Sequence, residues 1–214
     1  MLLATLSRSE LTARLRQRPL LGYAAHLAME PALRRTAMQA LPTPAPAHKE
    51  AAVLCLIYPH EGVWKVVLII RPEYDGAHSG QIAFPGGGVE TVDHDFEATA
   101  LRETYEEVGV AAETIEVVRA LTPLYIPVSH FWVYPFVGIA AERPAFVLDP
   151  VEVAGIVEVP LSVFTDPDRR STTDISLDSG KQRLRDVPYF VLDGGYVLWG
   201  ATAMMLGEVA ALVE

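Results

Sequence analysis

The chain of 214 residues has one cysteine, Cys55, so no internal disulfide can staple it. Cys55 lies in the apolar run from Ala51 to Ile57, where burial in a strand is the expected role rather than a reactive thiol. With so little cysteine, thiolate-rich metal centres are excluded, and His130 has no partner at zinc-site spacing. Long hydrophobic runs are also missing. Val66 to Ile70 is too short to span a bilayer. The opening Met1 to Leu6 is too short for a signal-peptide core and runs into Arg8, Arg14, Arg16 and Arg18 rather than a cleavage region. A cytoplasmic protein without a membrane partner is therefore expected. Basic residues are scarce, with 17 Lys and Arg against 27 Asp and Glu. The deficit is uneven: residues 1–50 hold seven basic and three acidic side chains, and the remainder ten and 24, for formal charges of +4 and −14. Such an acidic remainder argues against nonspecific nucleic-acid binding. It suits a pocket that reaches a polyanionic small molecule through bound cations.

Half of the residues are hydrophobic, enough at this length for one sizeable core. Residues 1–46 read as a helical extension and residues 47–214 as a single catalytic domain. Ser7 and Glu10 have capping-box spacing ahead of Leu11 and Leu15, and Pro19 limits that first helix. A second helical stretch is expected over Pro31 to Ala40, with Leu33 and Met38 inward, followed by a stiff proline-rich connector from Leu41 to Pro46. From Ala51 the pattern changes to short apolar runs between turns. Strands are expected over Ala51 to Tyr58, Trp64 to Arg71, Glu116 to Leu121, Phe131 to Ile139 and Val153 to Val159, with a closing helix over Thr202 to Leu212. This mixed order predicts an α/β sandwich around a mixed sheet.

The chemistry concentrates in Arg102-Glu103-Thr104-Tyr105-Glu106-Glu107, directly behind the glycine-rich turn Phe84-Pro85-Gly86-Gly87-Gly88. On a helix Glu103 and Glu107 stand one turn apart with Glu106 beside them, a crowding of like charge that calls for a counterion. A hard divalent cation is the obvious one. Ala98, Leu101, Tyr105 and Val108 recur at intervals of three and four, so they are expected to face the core and leave the carboxylates pointing outward. The glycines allow a tight turn with bare amides near a ligand. Asp93 or Asp95 can cap the helix, Gly109 can end it in the left-handed conformation, and Arg102 can hold a carboxylate or a phosphate oxygen in its rigid fork.

Gly88, Arg102, Glu103, Glu106, Glu107, Gly109 and Val110, at these intervals, make the stretch from Gly88 to Val110 resemble the signature loop-helix-loop of Nudix hydrolases. The resemblance implies the Nudix α/β/α fold. One position departs from the general pattern: His94 stands where an early glutamate is usual. The coenzyme A diphosphatases within the family share that departure and carry acidic residues at positions matching Glu90 and Asp93. Arg71, His78 to Gly87, Asp149 to Val153, Val159 to Leu161 and Trp199 to Ala203 extend the likeness to that subgroup over roughly residues 50–205. Pro72, Asp75 and Gly76 depart from it, and Gly76 replaces an arginine suited to an extra phosphate.

The resemblance implies metal-dependent hydrolysis of a nucleoside diphosphate derivative. Coenzyme A leads as substrate, with ADP-ribose or NADH as alternatives, and an inactive nucleotide-binding or regulatory module remains a different class of reading. It implies Mg2+ or Mn2+ held by Glu103, Glu106 and Glu107, with Arg102 supporting them. Glu152 is open between a water base, an outer metal ligand and a solvated loop residue. Arg71, His78, Gln81 and Gly86 to Gly88 are the substrate-binding candidates, with Arg71 the first choice for a 3′-phosphate. His94 is expected to cap or face solvent. Lys181, Arg183 and Arg185 alternate along a strand, as a solvated basic edge or as groups completing a partner's pocket in a homodimer. Tyr189, Phe190 and Trp199 read as core or as framing of an adenine pocket.

Overall fold

The computed structural model describes residues 6–37, 48–72, 80–177 and 182–214. Helix α1 (Arg8–Gln17) opens on the expected capping box: the Ser7 N–H donates to Glu10 Oε2 at 2.8 Å and the Glu10 N–H donates to Ser7 Oγ at 3.3 Å. Its Leu11 and Leu15 are fully buried. A short helix α2 (Tyr23–His26) runs into a 3₁₀ turn over Leu27–Met29, a pair of elements that no periodic signal announces. Helix α3 (Ala32–Ala37) falls inside the expected second helix; Met38 to Ala40 and the proline-rich connector lie outside the described residues.

The sheet follows as β1 (Lys49–His60), β2 (Val63–Ile70), β3 (Ile82–Ala83) and β4 (Gly86–Gly88). Helix α4 (Phe96–Val108) comes next, then β5 (Ile115–Ala120), β6 (Leu124–Ile126), β7 (Phe131–Ala140) and β8 (Gly155–Pro160). All five expected strands are present. Among the described residues these eight strands form one sheet with a backbone order β3-β2-β1-β7-β5; β4 pairs with β1, β6 with β7 and β8 with β2. The β1–β7 pair is parallel and the others antiparallel, which makes the sheet mixed. A second, antiparallel sheet is built from β9 (Arg170–Leu177), β10 (Gln182–Val191) and β11 (Val197–Trp199), and helix α5 (Gly200–Val213) closes the chain.

Strand β1 shows why its apolar run is continuous rather than alternating. Cys55 and Ile57 face the cluster shared with α1 and α5, while Leu54, Leu56 and Tyr58 face the cluster under α4. A strand covered on both faces needs apolar residues at every position. Helix α5 is buried almost all round, with Ala203, Met204, Leu206, Val209, Ala210 and Val213 inside. Phe190 and Leu198 of the second sheet and Leu11 and Leu15 of α1 join the same cluster, so the N-terminal segment and the three-stranded sheet share one core with α5. The architecture is an α/β fold, a mixed sheet flanked by helices that include the N-terminal one. Among the described residues, no helix is long and apolar enough to cross a membrane.

Candidate active site

Helix α4 carries the acidic cluster. Asp95 caps it, its Oδ1 accepting from the Ala98 N–H at 2.8 Å, and Gly109 ends it at φ 72° with its N–H on the Tyr105 carbonyl. A Cβ on Gly109 would stand 2.8 Å from Val147 Cβ, so both backbone angle and space demand glycine there. The orientation corrects the sequence expectation. The buried face is Thr99, Ala100, Thr104, Glu107 and Val108, whereas Tyr105 is 60% exposed and Leu101 only half-buried. The helix is turned so that Glu103 and Glu107 lie inward over β4 rather than outward. The buried threonines satisfy themselves: Thr104 Oγ1 donates to the Ala100 carbonyl at 2.7 Å and Thr99 Oγ1 to Asp93 Oδ2 at 2.9 Å.

The glycine run is also not the expected turn. Gly86, Gly87 and Gly88 form β4, paired antiparallel with Val53, Ala52 and Ala51. A Cβ on Gly87 would lie 2.4–2.5 Å from the Glu103 carboxylate, so the missing side chain is what admits that group. The Gly86 N–H donates to Glu107 Oε2 at 2.8 Å. Burial pushes the Glu107 carboxyl up to about 7, against the Gly86 N–H and the Arg71 charge, and the nearby Glu103 and Glu152 charges add to the rise. Burial likewise raises Glu103, opposed by Arg102 and helped by Glu106 and Glu152. Glu106 is half exposed at the rim.

Arg102 binds this cluster together. Its Nε and Nη2 donate to Asp93 Oδ1 and Oδ2 at 2.9 and 3.0 Å, its Nη1 to Glu103 and Glu106 at 3.0 and 2.7 Å, and its Nη2 to the Gly88 carbonyl at 3.0 Å. The bidentate grip holds Asp93 well below the usual carboxylate range and Arg102 above its own. Asp93 is thus the clamp on Arg102 while Asp95 makes the cap, a division that the sequence left open. His94 faces solvent beside Asp95.

Arg71 reaches the same spot from the end of β2, its Nη2 3.5 Å from the Gly86 carbonyl and its N–H on the Gln81 carbonyl at 3.0 Å. Glu152 occupies an exposed turn close enough for its charge to act on Glu103 and Glu107. His78 and Lys181 lie outside the described residues. Arg183, on the second sheet, pairs with Asp174 at 2.8 Å, and Phe190 is core, packed edge-on against Phe164. His130 Nδ1 meets the Tyr125 hydroxyl at 2.9 Å. Cys55 is buried and its thiol pushed up by desolvation, which makes it unreactive.

Among the described residues no three His, Cys, Asp or Glu side chains form a ready-made metal cage. Arg102 Nη1 holds both Glu103 and Glu106, but Glu106 stays half exposed at the rim, which leaves Glu103 and Glu107, against Gly87 and Gly86, as the inward pair. Two carboxylates fit Mg2+ or Mn2+, since magnesium commonly takes one or two protein carboxylates and completes its octahedron with water and substrate phosphate.

The NUDIX domain family matches residues 48–174, more than half of the chain, and the chain belongs to that family. It is 34% identical over 183 residues to the uncharacterised Nudix hydrolase NudL of Pectobacterium atrosepticum, covering 84% of this chain and 92% of that protein. It is 32% identical over 167 residues to the chloroplastic Nudix hydrolase 22 of Arabidopsis thaliana, covering 77% of this chain and 55% of that one. The chain thus spans little more than half the length of such plant relatives. A crystal structure of a MutT/nudix family protein from Enterococcus faecalis matches 95% of this chain and 73% of its own at a TM-score of 0.51 and 17% identity, a likeness of fold.

Proposed function

We propose that the chain hydrolyses the diphosphate linkage of a nucleoside diphosphate derivative, with coenzyme A or a CoA derivative as its leading substrate. The products are then adenosine 3′,5′-bisphosphate and 4′-phosphopantetheine or its derivative. The observation that carries this reading is the inward pair Glu103 and Glu107, held against Gly86 and Gly87 with both carboxyls raised. Such a pair is electrostatically incomplete without a cation. Glu103 and Glu107 hold Mg2+ or Mn2+, with Glu106 at the rim as the third carboxylate. When bound, the cation supplies Lewis acidity toward phosphate oxygens and acidifies water.

The remaining work falls to the chain itself. Arg102 keeps Glu103 and Glu106 from swinging into solvent. Arg71, beside Gly86, contacts the diphosphate, and Gln81, whose carbonyl accepts from the Arg71 N–H, belongs to the same substrate-binding face; His78 remains a substrate-binding candidate on its sequence context alone. Glu152 accepts a proton from the attacking water. Because Arg71 sits next to Glu107 rather than remote from it, its phosphate contact is with the linkage shared by all candidate substrates, not with a 3′-phosphate. Replacing Arg71 with Ala lowers kcat/KM for coenzyme A and dephospho-coenzyme A alike, by about 10-fold or more for a charge-assisted contact. A loss confined to coenzyme A would return Arg71 to the 3′-phosphate. Substrate choice is tested by parallel kinetics on coenzyme A, dephospho-coenzyme A, ADP-ribose and NADH. The highest kcat/KM is expected for coenzyme A, and a clear preference for ADP-ribose overturns that assignment.

A further inference from the structure

The segment that carries Glu152 is tied to α4 and β2 by its backbone. The Val147 N–H donates to the Val108 carbonyl at 3.0 Å and the Asp149 N–H to the Glu107 carbonyl at 3.1 Å, so Asp149 is bonded to the main chain of the inward carboxylate residue itself. Beyond the turn, the Val153 N–H returns to the Asp149 carbonyl at 2.9 Å and the Ala154 N–H reaches the Ile70 carbonyl at 2.9 Å, next to Arg71. Val153 is buried and Phe146 packs edge-on against Tyr58, which anchors both flanks. Between these anchors lie only Pro150, Val151 and Glu152. The proline restricts its own φ, and the Asp149 carboxylate accepts from the Val151 N–H at 2.7 Å. Val151 is 80% exposed and contributes no packing that could hold the turn instead.

We propose that Asp149 is the positioning residue for Glu152: its side chain closes the Pro150–Glu152 turn while its backbone bonds the turn to Glu107. The proposal rests on the hydrolytic role given to Glu152 above. The charge of Glu152 reaching both Glu103 and Glu107 is consistent with a turn held over the pair. Asp149 touches no substrate in this account; it acts through the carboxylate three residues on.

Asp149→Ala removes the acceptor, whereas Asp149→Asn keeps an oxygen that can accept from Val151. Amide hydrogen exchange and steady-state kinetics with Mg2+ on coenzyme A and ADP-ribose are compared for these variants, E152Q and the D149A/E152Q double variant. D149A is expected to exchange the Val151 amide at least about 10-fold faster, with D149N close to wild type, as for loss and retention of one hydrogen bond. D149A is also expected to lose kcat about 10-fold with KM little changed, D149N to recover it, and D149A to add nothing to E152Q. Unchanged exchange in D149A overturns the proposal, as does a full further kcat loss when D149A is added to E152Q. Wild-type turnover by E152Q overturns it through its catalytic half. A wild-type chain inactive on both substrates would sink the proposed reaction instead, because the exchange measurement needs no substrate.

Discussion

Glu107 is the carboxylate of the cluster that burial raises to about 7. Its folded pKa is raised to about 7 from 4.5, so as pH climbs between those values the unfolded chain releases a proton that the folded one retains. The stabilisation is complete below the lower value and is lost as pH rises through the upper one, on the order of 3 kcal/mol in all. Urea melts in chelator at pH 5 and pH 8 should therefore show wild type losing more stability than E107Q, with Mg2+ at pH 8 restoring wild type alone. Equal pH dependence in the two proteins would mean that Glu107 is not held as a buried carboxylate. Arg102 is the other decisive residue, since it bonds to three carboxylates at once. R102A leaves Glu103 without its guanidinium and Asp93 with only the Thr99 hydroxyl and the Glu90 N–H, and should cost about 3 kcal/mol, as broken buried ion pairs do. R102K should recover part of that, because one ammonium cannot grip Asp93 at two points and still reach Glu106. Denaturant midpoints of the two variants check the ordering.

At the level of elements, α4 works because both of its ends are fixed. Gly109 is at φ 72° with Val147 against it, so G109A should lower stability by about 1–2 kcal/mol from the left-handed backbone alone, read as a drop in thermal midpoint. A midpoint unchanged by G109A would show that the helix end relaxes freely. The N-cap of this helix was narrowed to Asp93 or Asp95, while its C-cap and the capping box of α1 were legible because they depend on neighbours in sequence: Gly109 with Tyr105 and Ser7 with Glu10. The rotation of α4 was not. Hydrophobic spacing pointed Tyr105 and Leu101 inward, but the helix buries threonines and Glu107, whose polar atoms find partners only through Gly86, Asp93 and its own carbonyls. Tertiary hydrogen bonds outweighed apolar periodicity there, and no local pattern encodes them. The same holds for Gly86 to Gly88, which look like a turn by composition but pair as a strand, since bare glycines are what let α4 approach β1 across the carboxylates. Short strands such as β3 and β6, two and three residues long, carry too little periodicity to be seen in advance.

Across the whole molecule, a long strand buried on both faces and a helix buried nearly all round made the α/β class readable from apolar runs alone. The apolar core shared by the distant parts is reinforced by a polar tie that was invisible in sequence. Glu208 of α5 is fully buried, yet it accepts from the Thr122 N–H at 2.9 Å, the Thr122 hydroxyl at 2.6 Å and the Gly22 N–H at 3.1 Å. It thereby ties the N-terminal segment, the loop after β5 and the closing helix to one side chain. The acidic block from Arg102 to Glu107, by contrast, was legible as part of one helix, although which of its carboxylates turn inward was not. The central claim is that this block serves cation-dependent cleavage of a diphosphate, and its most direct test is product analysis. The purified chain is incubated with coenzyme A and Mg2+, and products are identified by mass for wild type, for E107Q and for wild type in chelator. The account predicts adenosine 3′,5′-bisphosphate and 4′-phosphopantetheine from wild type, with a rate at least about 100-fold lower in E107Q and in chelator, the scale on which a main electrostatic stabiliser acts. Undiminished cleavage by E107Q, or no cleavage by wild type of coenzyme A, ADP-ribose or NADH, would contradict it.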